Sequence, residues 1–227
     1  MTVSAILQMA EAQGIEYLGI TDHIFAVTDP SILKSVADEL ANLPKPMNVY
    51  LGCEADILAV GKHTVTEEMK STLDYIAVSA NHYQLEWVSH PESDSPEALG
   101  KHYLDMFRYA CSLDFADIIC HPMQVVCGDH DPQCLETLRD KDVMEAIELA
   151  RANSVAIEIS PRLLSNDPEG FTFRFYRMCK ETGVKFSFGS DAHALHNVGT
   201  TSIMEEFVRS MGITDEDVWL PAGGARQ

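Results

Sequence analysis

Imidazole and carboxylate side chains recur where short apolar runs end. Leu18-Gly19-Ile20 leads into Thr21-Asp22-His23, and Val49-Tyr50-Leu51 into Gly52-Cys53-Glu54. Tyr75-Ile76-Ala77-Val78 leads into Ser79-Ala80-Asn81-His82, and Asp117-Ile118-Ile119-Cys120 into His121-Pro122. Lys185-Phe186-Ser187-Phe188 leads into Gly189-Ser190-Asp191-Ala192-His193. The run Val155-Ala156-Ile157-Glu158-Ile159 ends instead in Ser160-Pro161-Arg162, the basic ending of the set. Neutral imidazoles and carboxylates together suit Zn²⁺, Mn²⁺ or Fe²⁺. A carboxylate such as Glu54 can bridge two ions, because each oxygen can serve a different one. Two ions about 3.5–4 Å apart clamp a phosphoryl group and activate a water. No G-x-S-x-G, P-loop or G-x-G-x-x-G offers a competing chemistry. Taken singly, each ligand is weak evidence, since a lone His at a strand end is more often hydrogen-bonded wall. Asp22 reads equally as a ligand or as a group that orients His23. The ordered set is what carries weight.

Such residues converge only if the elements beneath them bring the strand ends together. Strand-like runs alternate with helical patterns over residues 2–13, 30–42, 96–112, 135–153, 170–182 and 197–210. Leu99, Tyr103, Met106, Phe107 and Ala110 make one apolar stripe, and Val143, Ala146, Ile147 and Ala150 another. Gly14, Gly183 and Gly212 close three of the helices. This alternation implies an α/β fold with a mainly parallel sheet or barrel, whose C-terminal strand ends share one face. Segments 83–95 and 122–134 are polar and read as loops over that face. The tail from Pro221 onward reads as frayed.

The 227 residues fit one domain, 1–227, with no internal repeat or linker. No apolar run is long enough to span a membrane, and no secretion signal is visible at the start, so a cytoplasmic protein is expected. The six cysteines lack C-x-x-C spacing and read as reduced thiols; Cys53 and Cys120 read as wall beside ligands. A net charge of −19 argues against nucleic acid as the main partner. It leaves an anionic substrate open, because bound cations reverse the local field.

The ordered pieces Gly19-Ile20-Thr21-Asp22-His23, Gly52-Cys53-Glu54-Ala55-Asp56-Ile57, Leu73-Asp74-Tyr75 through Asn81-His82, Ala116-Asp117 through His121-Pro122, and Gly189-Ser190-Asp191-Ala192-His193 resemble the PHP (polymerase and histidinol phosphatase) family, over about residues 3 to 205. The resemblance implies a distorted seven-stranded (β/α) TIM-like barrel holding up to three divalent ions. It implies that Glu54 bridges, that His82 and His121 complete one metal with it, that Asp191 shares a second with Glu54, and that His23 and His193 share a third. The departure is at the front. The family begins with a strand carrying an H-x-H pair, and no His precedes His23. A barrel missing its first strand is therefore expected, with six strand patterns where the family has seven. A shortened gene product, a natural variant with a partial site and a non-catalytic metal-binding or interaction module are the competing explanations. An open barrel would expose two strand edges, which favours a homo-oligomer across the gap.

The expected activity is hydrolysis of a small phosphomonoester by metal-activated water, similar to the histidinol-phosphatase branch. Asp191 and Arg162 would be its catalytic groups, with Arg162 gripping phosphate or, equally, pairing with the acidic surface. The alternative within the family is a phosphodiesterase or 3′–5′ exonuclease, whose branch the Glu54-Ala55-Asp56-Ile57 stretch resembles too. His90 and His130 lie on the polar loops within reach of the site, and His196 three residues past the last motif could line its entrance. His63 and His102 read as exposed or locally bonded.

Overall fold

The structure is a computed structural model, and it describes residues 1–125, 130–161, 170–200 and 202–221. In chain order the elements are α1 (Val3–Ala12), β1 (Tyr17–Ile24), α2 (Ser31–Ala41), β2 (Asn48–Ala59), β3 (Lys62–His63), α3 (Glu67–Thr72) and β4 (Tyr75–Ser79). Then follow α4 (Pro96–Cys111), β5 (Ile118–Ile119), α5 (Asp140–Ala152), β6 (Ala156–Ile159), α6 (Phe171–Thr182), β7 (Phe186–Phe188) and α7 (Ser202–Ser210). Six strands run parallel in the order β1-β2-β4-β5-β6-β7 and curl into a half-barrel. The expected TIM-like α/β architecture with six strand patterns is borne out. The short β3 is an addition: the chain turns at Val60-Gly61, with Gly61 at φ 85°, and β3 pairs back antiparallel on β2.

The short α3 is a further addition, and the other described helices lie where periodicity places them, with two shifts at their starts. Residues 135–139 are not part of α5, because Pro132–Thr137 form a separate 3₁₀ turn with Pro at its start. Likewise Leu195–Asn197 form a 3₁₀ turn, and Gly199 at φ 72° breaks the chain before α7. The strands differ more usefully. β1 and β2 do not end before their ligands; Thr21 to Ile24 stay paired with Gly52 to Ala55, so His23 sits opposite Glu54 within the sheet. Thr64 ties this region down, accepting from the Asp56 N–H at 3.0 Å and donating to the Ile24 carbonyl at 2.6 Å.

Alternation along the strands divides the side chains into two layers. Cys53, Ala55, Ile57, Ile76, Val78, Ile119, Ile157, Ile159 and Phe186 face the helices, in one large core with Phe107 of α4, Ile147 of α5 and Tyr176 of α6. A separate cluster of Val3, Leu7, Ile20 and Leu40 seats α1 and α2 on β1. The inner face carries a small apolar floor of Tyr75, Ala77, Ile118, Cys120 and Ala156, with Tyr50 and Trp219 against it. Tyr75 lies across β1 and β2, its hydroxyl 2.6 Å from Thr21 Oγ1. It can do so because Gly19 and Gly52 have no side chain; a Cβ at either would overlap the ring.

Among the described residues no strand joins β1 to β7. Between them lies a cleft of about 610 Å³, lined by Leu18, Ile20, Phe188 and Trp219 below and by Glu54 and His121 above. The chain just before Pro221 partly covers it: the Trp219 N–H donates to the Phe186 carbonyl at 2.8 Å, and the indole meets Tyr75 edge-on at 6.1 Å.

Candidate metal centre

Above the apolar floor, the inner face turns polar one step further along each strand. Glu54 is at the middle of β2, buried, and three imidazoles surround it. His121 Nε2 is 2.9 Å and His82 Nε2 3.5 Å from Glu54 Oε1, while His23 Nδ1 is 3.5 Å from Oε2. The rings of His82 and His121 lie 5.1 Å apart, and those of His23 and His193 5.8 Å. Asp191 follows β7 in a left-handed conformation (φ 47°), with Oδ1 3.3 Å from His193 Nδ1. His193 is exposed, at the rim. All of His23, Glu54, His82, His121, Asp191 and His193 thus come to one end of the half-barrel, from segments spread over most of the chain. Arg162 and Cys127 lie outside the described residues.

Two orienting groups fix the ligand tautomers. Asp56, two residues beyond Glu54 and therefore on the same face, is 1% exposed. Its Oδ1 accepts from His82 Nδ1 at 2.8 Å, which turns His82 Nε2 toward Glu54. Asn81 does the same for His121, its Oδ1 accepting from Nδ1 at 2.9 Å. The Asn81 amide also donates to the carbonyls of His121 (3.0 Å) and Gln124 (2.8 Å). Such partners raise ligand basicity and hold ring orientation. The i, i+2 relation of Glu54 and Asp56 was a usable sequence signal; the reach of Asn81 to His121 across β4 and β5 had none.

Burial pushes the Glu54 pKa up, but the His121 hydrogen bond and the charges of His121, His23 and His82 outweigh it and bring it to about 2. Burial pulls His121 down, and the Glu54 bond and charge more than reverse this, to about 9. Burial lifts Glu158 on β6 to about 7, aided by Glu54 and Asp191 against the opposing pull of His121. Burial also lifts the Cys53 thiol to about 12 and Cys120 well above its usual value, so both are inert wall.

The residues fit a divalent cation. Ligand atoms of His23, Glu54 and His82 lie within 4.8 Å of one another. His23 Nδ1 is sealed from solvent with no hydrogen-bond partner, despite its nearness to Glu54. A buried imidazole nitrogen without a hydrogen-bond partner, 3.5 Å from a carboxylate oxygen, is what a cation would satisfy. This group shares Glu54 and His82 with the expected Glu54–His82–His121 set, and His121 Nε2 lies 2.9 Å from Glu54 Oε1 beside it. Asp22 alternates to the strand face opposite His23. His90, His102 and His130 gather instead around the Tyr83 ring, with centroids at 6.5, 5.3 and 5.7 Å. The cysteines at 53, 111, 120, 134 and 179 are free and buried.

No family model matches the chain. A protein of Acetivibrio thermocellus named as a probable phosphatase is 26% identical over 204 residues, 87% of this chain and 75% of its own length. A probable phosphatase of Vibrio campbellii is 35% identical over 83 residues, 35% of this chain and 33% of its own. The crystal structure of a Lactococcus lactis histidinol phosphate phosphatase, complexed with zinc, L-histidinol and phosphate, superposes with a TM-score of 0.64 at 15% identity, covering 93% of this chain and 88% of that one. A chain of an archaeal ribonuclease P bound to mature tRNA has a TM-score of 0.52 at 14% identity, covering 91% and 78%. By sequence the chain is a relative of probable phosphatases and by fold of a histidinol phosphate phosphatase, and the likeness to PHP-type phosphoesterases carried by its strand-end motifs stands.

Proposed function

We propose that this chain is a divalent-metal-dependent phosphatase that hydrolyses a small phosphomonoester, of the histidinol-phosphatase kind. The observation that carries this reading is the buried Glu54 carboxylate set among three imidazoles, each facing it through a ring nitrogen. Bound there, Zn²⁺, Mn²⁺ or Fe²⁺ supplies Lewis-acid stabilisation of phosphoryl oxygens and acidifies a water. The two oxygens of Glu54 face different imidazoles, Oε1 toward His82 and His121 and Oε2 toward His23, which suits a bridging role. Asp191 and His193 add a carboxylate and an exposed imidazole at the rim, where a substrate enters. Asp191 would meet both the cation and the reacting phosphate, which its place beside His193 supports. Arg162, three residues beyond the end of β6 in the sequence, would offset charge on the phosphoryl oxygens. The inner floor of Tyr75, Ala77 and Ile118 lines the same cleft as Glu54 and His121 and gives it an apolar wall. The buried free thiols support a reducing, cytoplasmic setting.

The test is turnover by the metal-loaded chain on histidinol phosphate, other phosphomonoesters, a phosphodiester and single-stranded DNA. Phosphate should be released from monoesters alone. Glu54→Gln should lower turnover by about 100-fold or more and reduce bound metal. Unchanged turnover in Glu54→Gln with full metal loading would sink the assignment, and cleavage of the diester or DNA would move it to the nuclease branch.

A further inference from the structure

His121 has a backbone that its residue type resists. Its φ is 30°, in the left-handed region that non-glycine residues seldom enter. Strain of this kind costs about 1–3 kcal/mol and persists only where the surroundings over-determine it. Two buried side chains do so here. Asn81 takes the ring Nδ1–H and the carbonyl, as described. The remaining main-chain group, the His121 N–H, donates to Glu158 Oε2 at 2.7 Å.

Glu158 is itself unusual. It is 8% exposed, on the inner face of β6, two residues beyond Ala156 of the apolar floor. Burying a carboxylate is costly unless a specific partner uses it. Its other oxygen lies against Gly189, where any Cβ would collide with it, so the residue just after β7 leaves room for this side chain. Its own carbonyl is held by the Tyr176 hydroxyl at 2.5 Å, which fixes β6 against α6. A carboxylate fixed at both backbone and head group, in a space kept open by a glycine, holds one N–H of a strained residue.

We propose that Glu158 is a positioning residue: by accepting the His121 N–H it holds the strained main chain that aims the His121 imidazole at Glu54. The role rests on reading Glu54 and the histidines as metal ligands. In this role Glu158 orders a ligand through the main chain of His121. It also explains an acidic residue in an otherwise apolar run, Val155-Ala156-Ile157-Glu158-Ile159, that no ligand motif accounts for.

Glu158→Met removes the acceptor without leaving a cavity, and Glu158→Gln keeps an acceptor oxygen in the same place. The first readout is the nitrogen NMR spectrum of His121 in the metal-free chain, with far-UV circular dichroism as the check on folding. Wild type and Glu158→Gln should show a protonated, slowly exchanging Nδ1 held by Asn81; Glu158→Met should lose it. The second is zinc affinity by competition with a chelator, expected to fall about 10–100-fold in Glu158→Met and to be rescued in Glu158→Gln. Should Glu158→Met fail to fold, Glu158→Ala gives the same reading. An unaltered His121 spectrum in a folded acceptor-less variant overturns the proposal. If even the wild-type chain binds no zinc, the phosphatase reading fails while the NMR comparison still decides the role of Glu158.

Discussion

Glu54 and His121 hold each other in charged form. The carboxylate stays ionised to about pH 2 and the imidazole keeps its proton to about pH 9. A cation needs the deprotonated ring, so below about pH 9 it must displace the His121 proton. The sign follows directly. Metal affinity should rise with pH, with His121 contributing up to about tenfold per unit until about pH 9, where its proton is already gone. In His121→Gln the part of the rise between pH 7 and 9 should vanish. Calorimetric zinc titrations across that range, in buffers of different ionisation enthalpy, would read both the affinity and the released proton. An identical slope in wild type and His121→Gln would show that the proton on His121 is not the one displaced. Residue types made these groups visible in the sequence, because imidazoles and carboxylates ending apolar runs are few. Their orienting partners were less visible. Asp56 is marked by its i, i+2 spacing from Glu54, whereas Asn81 and Glu158 do nothing locally that marks them; each of the three acts on a residue 26 to 40 positions away.

At the scale of the elements, the floor of the half-barrel depends on two absent side chains. Tyr75 of β4 spans the inner faces of β2 and β1 only because Gly52 and Gly19 leave space. Gly52→Ala should push the ring off Thr21 and overpack a site with no slack, costing about 1–3 kcal/mol. Urea unfolding would measure it, and a Gly52→Ala/Tyr75→Phe pair would show whether the lost Thr21 bond contributes. A cost below about 0.5 kcal/mol would mean that the floor yields, and that its packing does not set the height of Glu54 above it. This architecture was legible in part. Alternating helical patterns and short apolar runs pointed to the six parallel strands, since a helix shows an apolar stripe and each strand a short apolar run. The extents were not legible. β1 and β2 run on past His23 and Glu54 because their cross-strand partners continue, and pairing is invisible to a pattern read along one strand. The helical patterns over 135–153 and 197–210 take in the ends of the 3₁₀ turns Pro132–Thr137 and Leu195–Asn197, because an i, i+3 repeat looks the same in both.

For the whole molecule, the proposed ligands would also be fasteners. His23 comes from β1, Glu54 from β2, His82 and His121 from the segments after β4 and β5, and Asp191 and His193 from the segment after β7. A sheet of this kind has its weakest line between β1 and β7, where no ladder of hydrogen bonds runs among the described residues. His23 and His193 face each other across that line, with ring centroids 5.8 Å apart. A net charge of −19 adds self-repulsion that a bound dication reduces. Metal removal should therefore lower stability well beyond the immediate site. An ion present at about 100 times its Kd contributes about 2.7 kcal/mol. For a chain of this size that corresponds to a drop in Tm of roughly 5–10 °C on adding EDTA. Hydrogen exchange should locate the loss, with protection gained on metal loading in β1 and β7 more than in β4 or α4. Unchanged melting and exchange despite stoichiometric bound zinc would mean that the ion sits on a preformed rim and that the seam is closed by packing alone, through Trp219 against Tyr75.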